Sequence, residues 1–210
     1  MEDLRREYAR RTLDESATDP DPFVQFKRWF DEALAAPIVD ANAMSLATSS
    51  ADGEPSVRTV LLKGIDDRGF IFFTHYTSPK GRDLDENPRA SLLFFWPELE
   101  RQVRITGRVS RVEQSASAAY FATRPLDSRL AVWVAPQSSE IADRMTLEQR
   151  LEEVRKRFDQ QEVPCPPDWG GYHVAAERFE FWQGRPGRLH DRILYTREPD
   201  GGWKRARLAP

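Results

Sequence analysis

One cysteine, Cys165, occurs in 210 residues, so an intrachain disulfide is impossible and a cysteine-based zinc site cannot be assembled. That fits a reducing compartment. The three histidines, His75, His173 and His190, are scattered along the chain, which argues against metal catalysis. No apolar run approaches the roughly 20 residues of a membrane span. The opening MEDLRREYARR has no apolar core of the kind a secretion signal needs, so a cytoplasmic location is expected. Neither sign of charge dominates. With 31 basic and 34 acidic residues and a net charge of −3, general nucleic-acid binding is disfavoured, and any anion site must be a local cluster of Arg and Lys. The common chemical motifs are also missing: there is no GxGxxG after a strand, no Walker A loop, no HExxH and no GxSxG.

What is present is material for a core. Apolar residues make up 40% and aromatics 11%, with twelve Phe and six Trp, enough to exclude disorder as the default. Residues 1–20 are polar and charged and read as a mobile arm; residues 21–210 read as a single domain. From Pro22 to Ala36 the apolar residues recur at helical spacing (Phe23, Phe26, Phe30, Leu34), with Asp21 as N-cap and Pro22 at the first helical position.

The period then shortens. Ala43–Thr48, Ser56–Ile65 and Phe70–His75 read as antiparallel strands joined by turns at Asp52-Gly53 and Asp66–Gly69. A short helix over Pro79–Glu86 precedes two more strands, Ala90–Trp96 and Gln102–Glu113, and a helix over Ser115–Thr123. Thr146–Gln161 carries a helical stripe of Leu147, Leu151, Val154 and Phe158, with Thr146 and Gln149 placed as a capping box. Strands return at His173–Ala176, Arg178–Gln183, Leu189–Thr196 and Trp203–Leu208. Short strands with helices between them, without regular βαβ alternation, predict a closed or split antiparallel barrel.

Basic residues embedded in these elements are the candidate chemistry. Arg58 and Lys63 lie in SVRTVLLK, and strict alternation puts them on opposite faces. A cation in such a strand marks either an exposed edge or a bound anion. Ser78-Pro79-Lys80 places a lysine in the first turn of a capped helix, a natural phosphate site or simply an ordinary capped helix. Tyr120 and Arg124, four apart and followed by Ser128, could grip a phosphate, or the arginine could stack on the tyrosine at the surface. Arg188, His190 and Arg192 share one face if extended, marking either a ligand or a solvated edge strand. Together these clusters point to more than one phosphate-bearing ligand.

The same motifs occur in the same order in the pyridoxamine 5′-phosphate oxidase family, which this chain resembles over nearly its whole length. The matching stretches are LRREY, VRTVLLK, FFT, NPRASLLFFW, LERQVRITG, YFATRPLDS, QSS, WGGY, FEFWQGRPGRLHDR and the closing RLAP. The resemblance implies a split β-barrel, mainly β with peripheral helices, working as a homodimer with FMN between the subunits.

It implies that Arg58, Thr59, Val60, Leu61, Leu62, Lys63, Phe73, Thr74, Lys80, Gln102, Gln137, Ser138, Trp182 and Arg192 line the flavin. Lys63, Tyr120, Arg124 and Ser128 would hold the substrate phosphate, with Arg188, Leu189 and His190 at the substrate ring. Arg5, Arg6, Glu7 and Tyr8 match a segment that folds over the substrate, and Asp40 matches an aspartate assigned to the chemistry beside Arg188 and His190.

The implied reaction oxidises pyridoxine or pyridoxamine 5′-phosphate to pyridoxal 5′-phosphate, with O2 as acceptor and H2O2 released. Pro79 stands where many members carry arginine, Phe73 where tyrosine is frequent, and Ala131-Val132 where glycine-alanine is usual. Two alternatives share the fold: a phenazine-biosynthesis type of flavin oxidase, and a flavin- or haem-binding protein without turnover.

Overall fold

A computed structural model describes residues 11–210; the arm residues Arg5, Arg6, Glu7 and Tyr8 lie outside the described part. Nine strands form one antiparallel sheet: β1 (Ala43–Ser49), β2 (Pro55–Leu61), β3 (Gly64–Ile65), β4 (Gly69–His75), β5 (Arg89–Trp96), β6 (Arg101–Arg111), β7 (Trp169–Gln183), β8 (Asp191–Arg197) and β9 (Trp203–Arg207). The order runs β2-β1-β5-β6-β7-β4-β3, and β8 leaves β7 to pair with β9. The fork lies in β7. Its first half pairs with β4 from Trp169 to Ala175, and its second half pairs with β8 from Arg178 to Gln183. A barrel that divides in this way is the expected split barrel.

The sequence suggested two strands where β7 is one, because Glu177 and Arg178 break the apolar alternation. Glu177 is the extra residue of a bulge: Thr106 pairs with Arg178 and Gly107 with Ala176. The Glu177 carboxylate turns outward to Arg89 and Arg108, at 3.2 and 3.1 Å. Gly107 is required at the bulge, since a Cβ there would sit 1.9 Å from the Ala175 carbonyl oxygen.

Helix α1 (Pro22–Ala35) covers the sheet. The Asp21 side chain accepts the Phe23 N–H at 2.8 Å, the expected cap. Phe26, Trp29 and Ala33 are buried on one face. Phe26 meets Phe70 and Phe94 edge-on at 4.9 and 5.0 Å, and Trp29 meets Phe181 at 5.2 Å. Such contacts contribute about 0.5–1.5 kcal/mol each beyond area burial. A second apolar cluster is built by α3 (Gln114–Ala122), α4 (Leu126–Val132) and α5 (Arg144–Arg157) around Phe121, Leu130, Val154 and Trp169.

Three expectations need correction here. The expected arm extends too far, because its last part is tied to the barrel. Leu13 is buried and its N–H donates to Asp191, Tyr195 donates to the Asp19 carbonyl, and Arg205 donates to Thr18. Helix α5 starts at Arg144 with Asp143 as its cap, accepting the Thr146 N–H at 2.7 Å; Thr146 is inside the helix, not at its cap. Strand β2 ends at Leu61, so alternation does not carry through to Lys63, with consequences described next.

Candidate functional site

A cavity of about 860 Å³ opens between the edge strand β2, the end of β4, the start of α2 (Pro79–Glu86) and the α3–α4 corner. It is lined by Arg58, Thr59, Val60, Leu61 and Lys63 on one side and by Phe73, Thr74 and Lys80 on the floor. Tyr120, Arg124, Ser128 and Gln137 face them. Twelve of the expected residues are thus brought to one groove. Arg58 and Lys63 share it although alternation put them on opposite faces, because the chain leaves the strand at Leu62.

Arg58 is held by the Leu46 carbonyl, the Thr48 hydroxyl (2.7 Å) and the Ser56 hydroxyl (2.6 Å), with Asp83 3.8 Å away. Lys80 is positioned by its helix start. The Ser78 hydroxyl accepts the Gly81 N–H, and Pro79 takes the first helical position. Its ammonium donates to Gln137 Oε1 at 2.9 Å and to Thr74 Oγ1 at 3.4 Å, while Thr74 also donates to Gln137 Oε1. These partners are neutral. Burial, helped by the nearby Arg58 charge, pushes the Lys80 pKa below its ordinary value.

The opposite wall is aromatic. Phe73 stacks on Tyr120 (3.9 Å between ring centres) and lies near-parallel to Trp169 (5.3 Å), while Tyr120 and Trp169 are themselves 6.3 Å apart, so the three rings form a triangular cluster. The Arg124 guanidinium lies 4.9 Å over Trp169. Its Nη1 is buried without a hydrogen-bond partner among the described residues, and burial lowers its pKa. Four cations and no carboxylate line the cavity among the described residues. Such a groove is complementary to an anionic ligand.

The other expected residues lie elsewhere in the same chain. Gln102 pairs in register with Trp182, whose ring is 4.7 Å from that of His190. Arg192 donates to Glu180 at 2.9 Å and to the Ala209 carbonyl at 2.7 Å. Pro186–Arg188 is a tight turn rather than the expected extended segment, with φ of 64° at Gly187 and 62° at Arg188. Arg188, His190 and Arg192 therefore do not form a simple row. Arg188 and Leu189 are exposed, and His190 Nδ1 accepts the Arg185 N–H at 3.1 Å. Leu62 is in the core and Ser138 is exposed with φ of 66°. Asp40 is an exposed turn residue whose carbonyl accepts the Ala43 N–H. None of these lines the groove of its own chain.

Sequence reasoning missed His75, Pro125, Ala131, Val132, Ala135 and Trp169 as groove residues. Trp169 was visible only as part of WGGY, and His75 only as one scattered histidine.

A forked antiparallel barrel with a cationic groove at its edge, free of carboxylates among the described residues, defines a split-barrel protein whose groove is complementary to an anion. The chain belongs to the pyridoxamine 5′-phosphate oxidase family. The profile described as "Pyridoxamine 5′-phosphate oxidase" matches residues 30–158, and that described as "Pyridoxine 5′-phosphate oxidase C-terminal dimerisation region" matches residues 169–210. The pyridoxine/pyridoxamine 5′-phosphate oxidase of Cupriavidus taiwanensis is 58% identical over 210 residues, covering 100% of this chain and 99% of that one. Its namesake from Nostoc sp. is 54% identical, covering 99% and 97%.

Among solved structures, PhzG from Burkholderia lata, in complex with tetrahydrophenazine-1-carboxylic acid, superposes with a TM-score of 0.90 at 33% identity, covering 96% and 99%. A pyridoxamine 5′-phosphate oxidase-related, FMN-binding protein from Nostoc punctiforme shares the fold with a TM-score of 0.71 at 19% identity, covering 88% and 97%.

Proposed function

We propose that this protein is an FMN-dependent oxidase that converts pyridoxine and pyridoxamine 5′-phosphates to pyridoxal 5′-phosphate, using O2 and releasing H2O2. It works as a homodimer in the cytoplasm. The observation that carries this reading is the groove with four cations and no carboxylate among the described residues. Its buried Lys80 has only neutral hydrogen-bond partners there, and Arg124 Nη1 has none. Buried charges without counter-charges are costly, so both await an anion.

The two ends of the groove serve two phosphates. Arg58, Lys80 and the start of α2 hold the flavin phosphate. Lys63, Tyr120, Arg124 and Ser128 hold the substrate phosphate, with the guanidinium fixed over Trp169. FMN, when bound, supplies the two-electron chemistry. The protein's part is to position the reacting carbon within about 3–3.5 Å of the acceptor and exclude water.

Arg188, Leu189 and His190 complete the site from a second copy, in keeping with the match to a dimerisation region. Because His190 Nδ1 accepts from the Arg185 N–H, a neutral ring carries its proton on Nε2 and can donate from there to the substrate ring. Gln102, Ser138, Trp182 and Arg192 act in the same composite site, and Asp40 is retained as a candidate there.

The test is pyridoxal 5′-phosphate and peroxide production by FMN-loaded protein, beside Arg188→Ala. Turnover with both B6 phosphates that collapses in the variant is expected. A second reading, favoured by the PhzG superposition, is oxidation of a reduced phenazine carboxylate. Turnover of tetrahydrophenazine-1-carboxylic acid, with none of either B6 phosphate, would replace the first reading by the second.

A further inference from the structure

His75 is the ionisable groove residue that the flavin and substrate sets leave unused. It ends β4, where it pairs in register with Trp169, and it lines the cavity beside Lys80 and Arg124. It is 8% exposed, and its Nδ1 has no hydrogen-bond partner among the described residues. The nearest acid is Asp168, whose Oδ2 is 3.8 Å from that nitrogen, outside hydrogen-bond reach. Asp168 is itself fixed through its backbone, since its carbonyl accepts the Tyr76 N–H at 2.7 Å. A buried imidazole nitrogen left unsatisfied at the wall of a cation-lined groove has an energetic reason to change state when an anion arrives.

We propose that His75, backed by Asp168, is a phosphate-binding group of this groove and takes up one proton when a phosphate monoester binds beside Lys80 and Arg124. The inference deepens the proposed function and rests on its reading of the groove as a phosphate site. The charges facing His75 are Asp168 from the loop before β7, Lys80 from α2 and Arg124 from the bend between α3 and α4. Tyr120 and Cys165 lie next to Arg124. In the ligand-free groove, burial holds the imidazole neutral and outweighs Asp168, and the two cations add to that effect. A phosphate dianion cancels the repulsion from Lys80 and Arg124. Asp168 then supplies the second negative neighbour that an imidazolium needs. The proton comes from solvent, and no bond is made or broken in the ligand.

Two sources carry this chemistry, FMN and the B6 phosphates. Calorimetric titrations at pH 8, repeated in buffers of different ionisation enthalpy, count the protons taken up per ligand bound. FMN is compared with riboflavin on apoprotein, and pyridoxal 5′-phosphate with pyridoxal on FMN-loaded protein. Inorganic phosphate on apoprotein gives an arm that needs neither ring system. At this pH the monoester is already a dianion, its second pKa being about 6, so uptake reports the protein.

Net uptake with a phosphorylated ligand, absent with its dephosphorylated partner, is expected in the wild type and lost in His75→Gln. The variant should bind that ligand about tenfold more weakly. The arm that shows uptake identifies which phosphate His75 serves. Asp168→Asn, which keeps the imidazole, should reduce the uptake and tests the pair if His75→Gln does not fold. Equal uptake in wild type and His75→Gln, or no uptake in any phosphate arm, overturns the proposal. Phosphate-dependent uptake together with absent B6 turnover would defeat the proposed function and leave this inference standing.

Discussion

The Lys80 ammonium donates to the Gln137 side-chain oxygen at 2.9 Å, joining the start of α2 to a loop 57 residues further on. The bond leaves a buried cation on a neutral acceptor, which on the proposed function is where the flavin phosphate joins it. Lys80→Met should therefore weaken FMN binding by about 10- to 100-fold, the worth of hydrogen bonds to a charged group. Flavin fluorescence quenching on titrating apoprotein measures it, and unchanged affinity would remove Lys80 from the site.

The same lysine has a pH signature in the ligand-free protein. Its pKa in the fold lies below its unfolded value of 10.5. Between the two values the unfolded chain holds a proton that the folded chain has released, so stability rises with pH across that window. Below the folded value the buried charge is a constant cost. Urea unfolding should show wild-type apoprotein gaining stability toward alkaline pH relative to Lys80→Met. A constant difference across pH 7–10 would contradict the argument.

Gly81 follows Lys80, and a Cβ at this position would lie 2.1 Å from the Tyr76 carbonyl oxygen. The obstacle is backbone and cannot swing away. Gly81→Ala should cost about 1–3 kcal/mol of stability, as overpacking does. It should also weaken FMN binding, because relief requires moving the turn that carries Lys80. A melting curve equal to wild type would show that the turn yields freely.

Arg207 ties the chain near residue 13 to the last strand. It contacts Glu15 at 2.5 Å, Asp191 at 2.9 Å and the Leu13 carbonyl at 3.1 Å. The group is well exposed, so Arg207→Ala should change global stability by less than about 1 kcal/mol. Amide exchange in residues 11–19 should nevertheless quicken, with a smaller difference in high salt. Unchanged exchange there would mean that Leu13 burial alone holds the segment.

Arg188 does not line the groove of its own chain. Mixing Lys80→Met with Arg188→Ala, each defective alone, should restore up to about one quarter of wild-type turnover if each site draws on both copies. Refolded mixtures that stay inactive would place both residues in one chain's site.

These outcomes depend on features that the sequence revealed unevenly. Asp21 and Ser78 were legible as caps because a capping side chain acts on backbone two or three residues away. The cation set was legible because Arg and Lys inside apolar strands are conspicuous. Local rules failed where tertiary pairing decided the matter. Alternation separated Arg58 from Lys63, yet the chain leaves the sheet at Leu62 and both meet one cavity. Arg188 reads as extended until Gly187 and Arg188 take left-handed conformations. His75 gives no local signal, because the groups that face it, Asp168, Lys80 and Arg124, come from distant parts of the chain.

Strand β7 also acts as a ruler. Trp169 at its start borders the groove, and Gln183 at its end leads into the turn that carries Arg188. Fifteen residues separate a chain's phosphate grip from its own C-terminal turn by up to about 45 Å along the strand, at about 3.3 Å per residue. If both ends serve one substrate, each folded chain carries two half-sites facing different cavities. Turnover per chain would then fall on dilution below the dimer dissociation constant, making catalytic capacity a function of protein concentration.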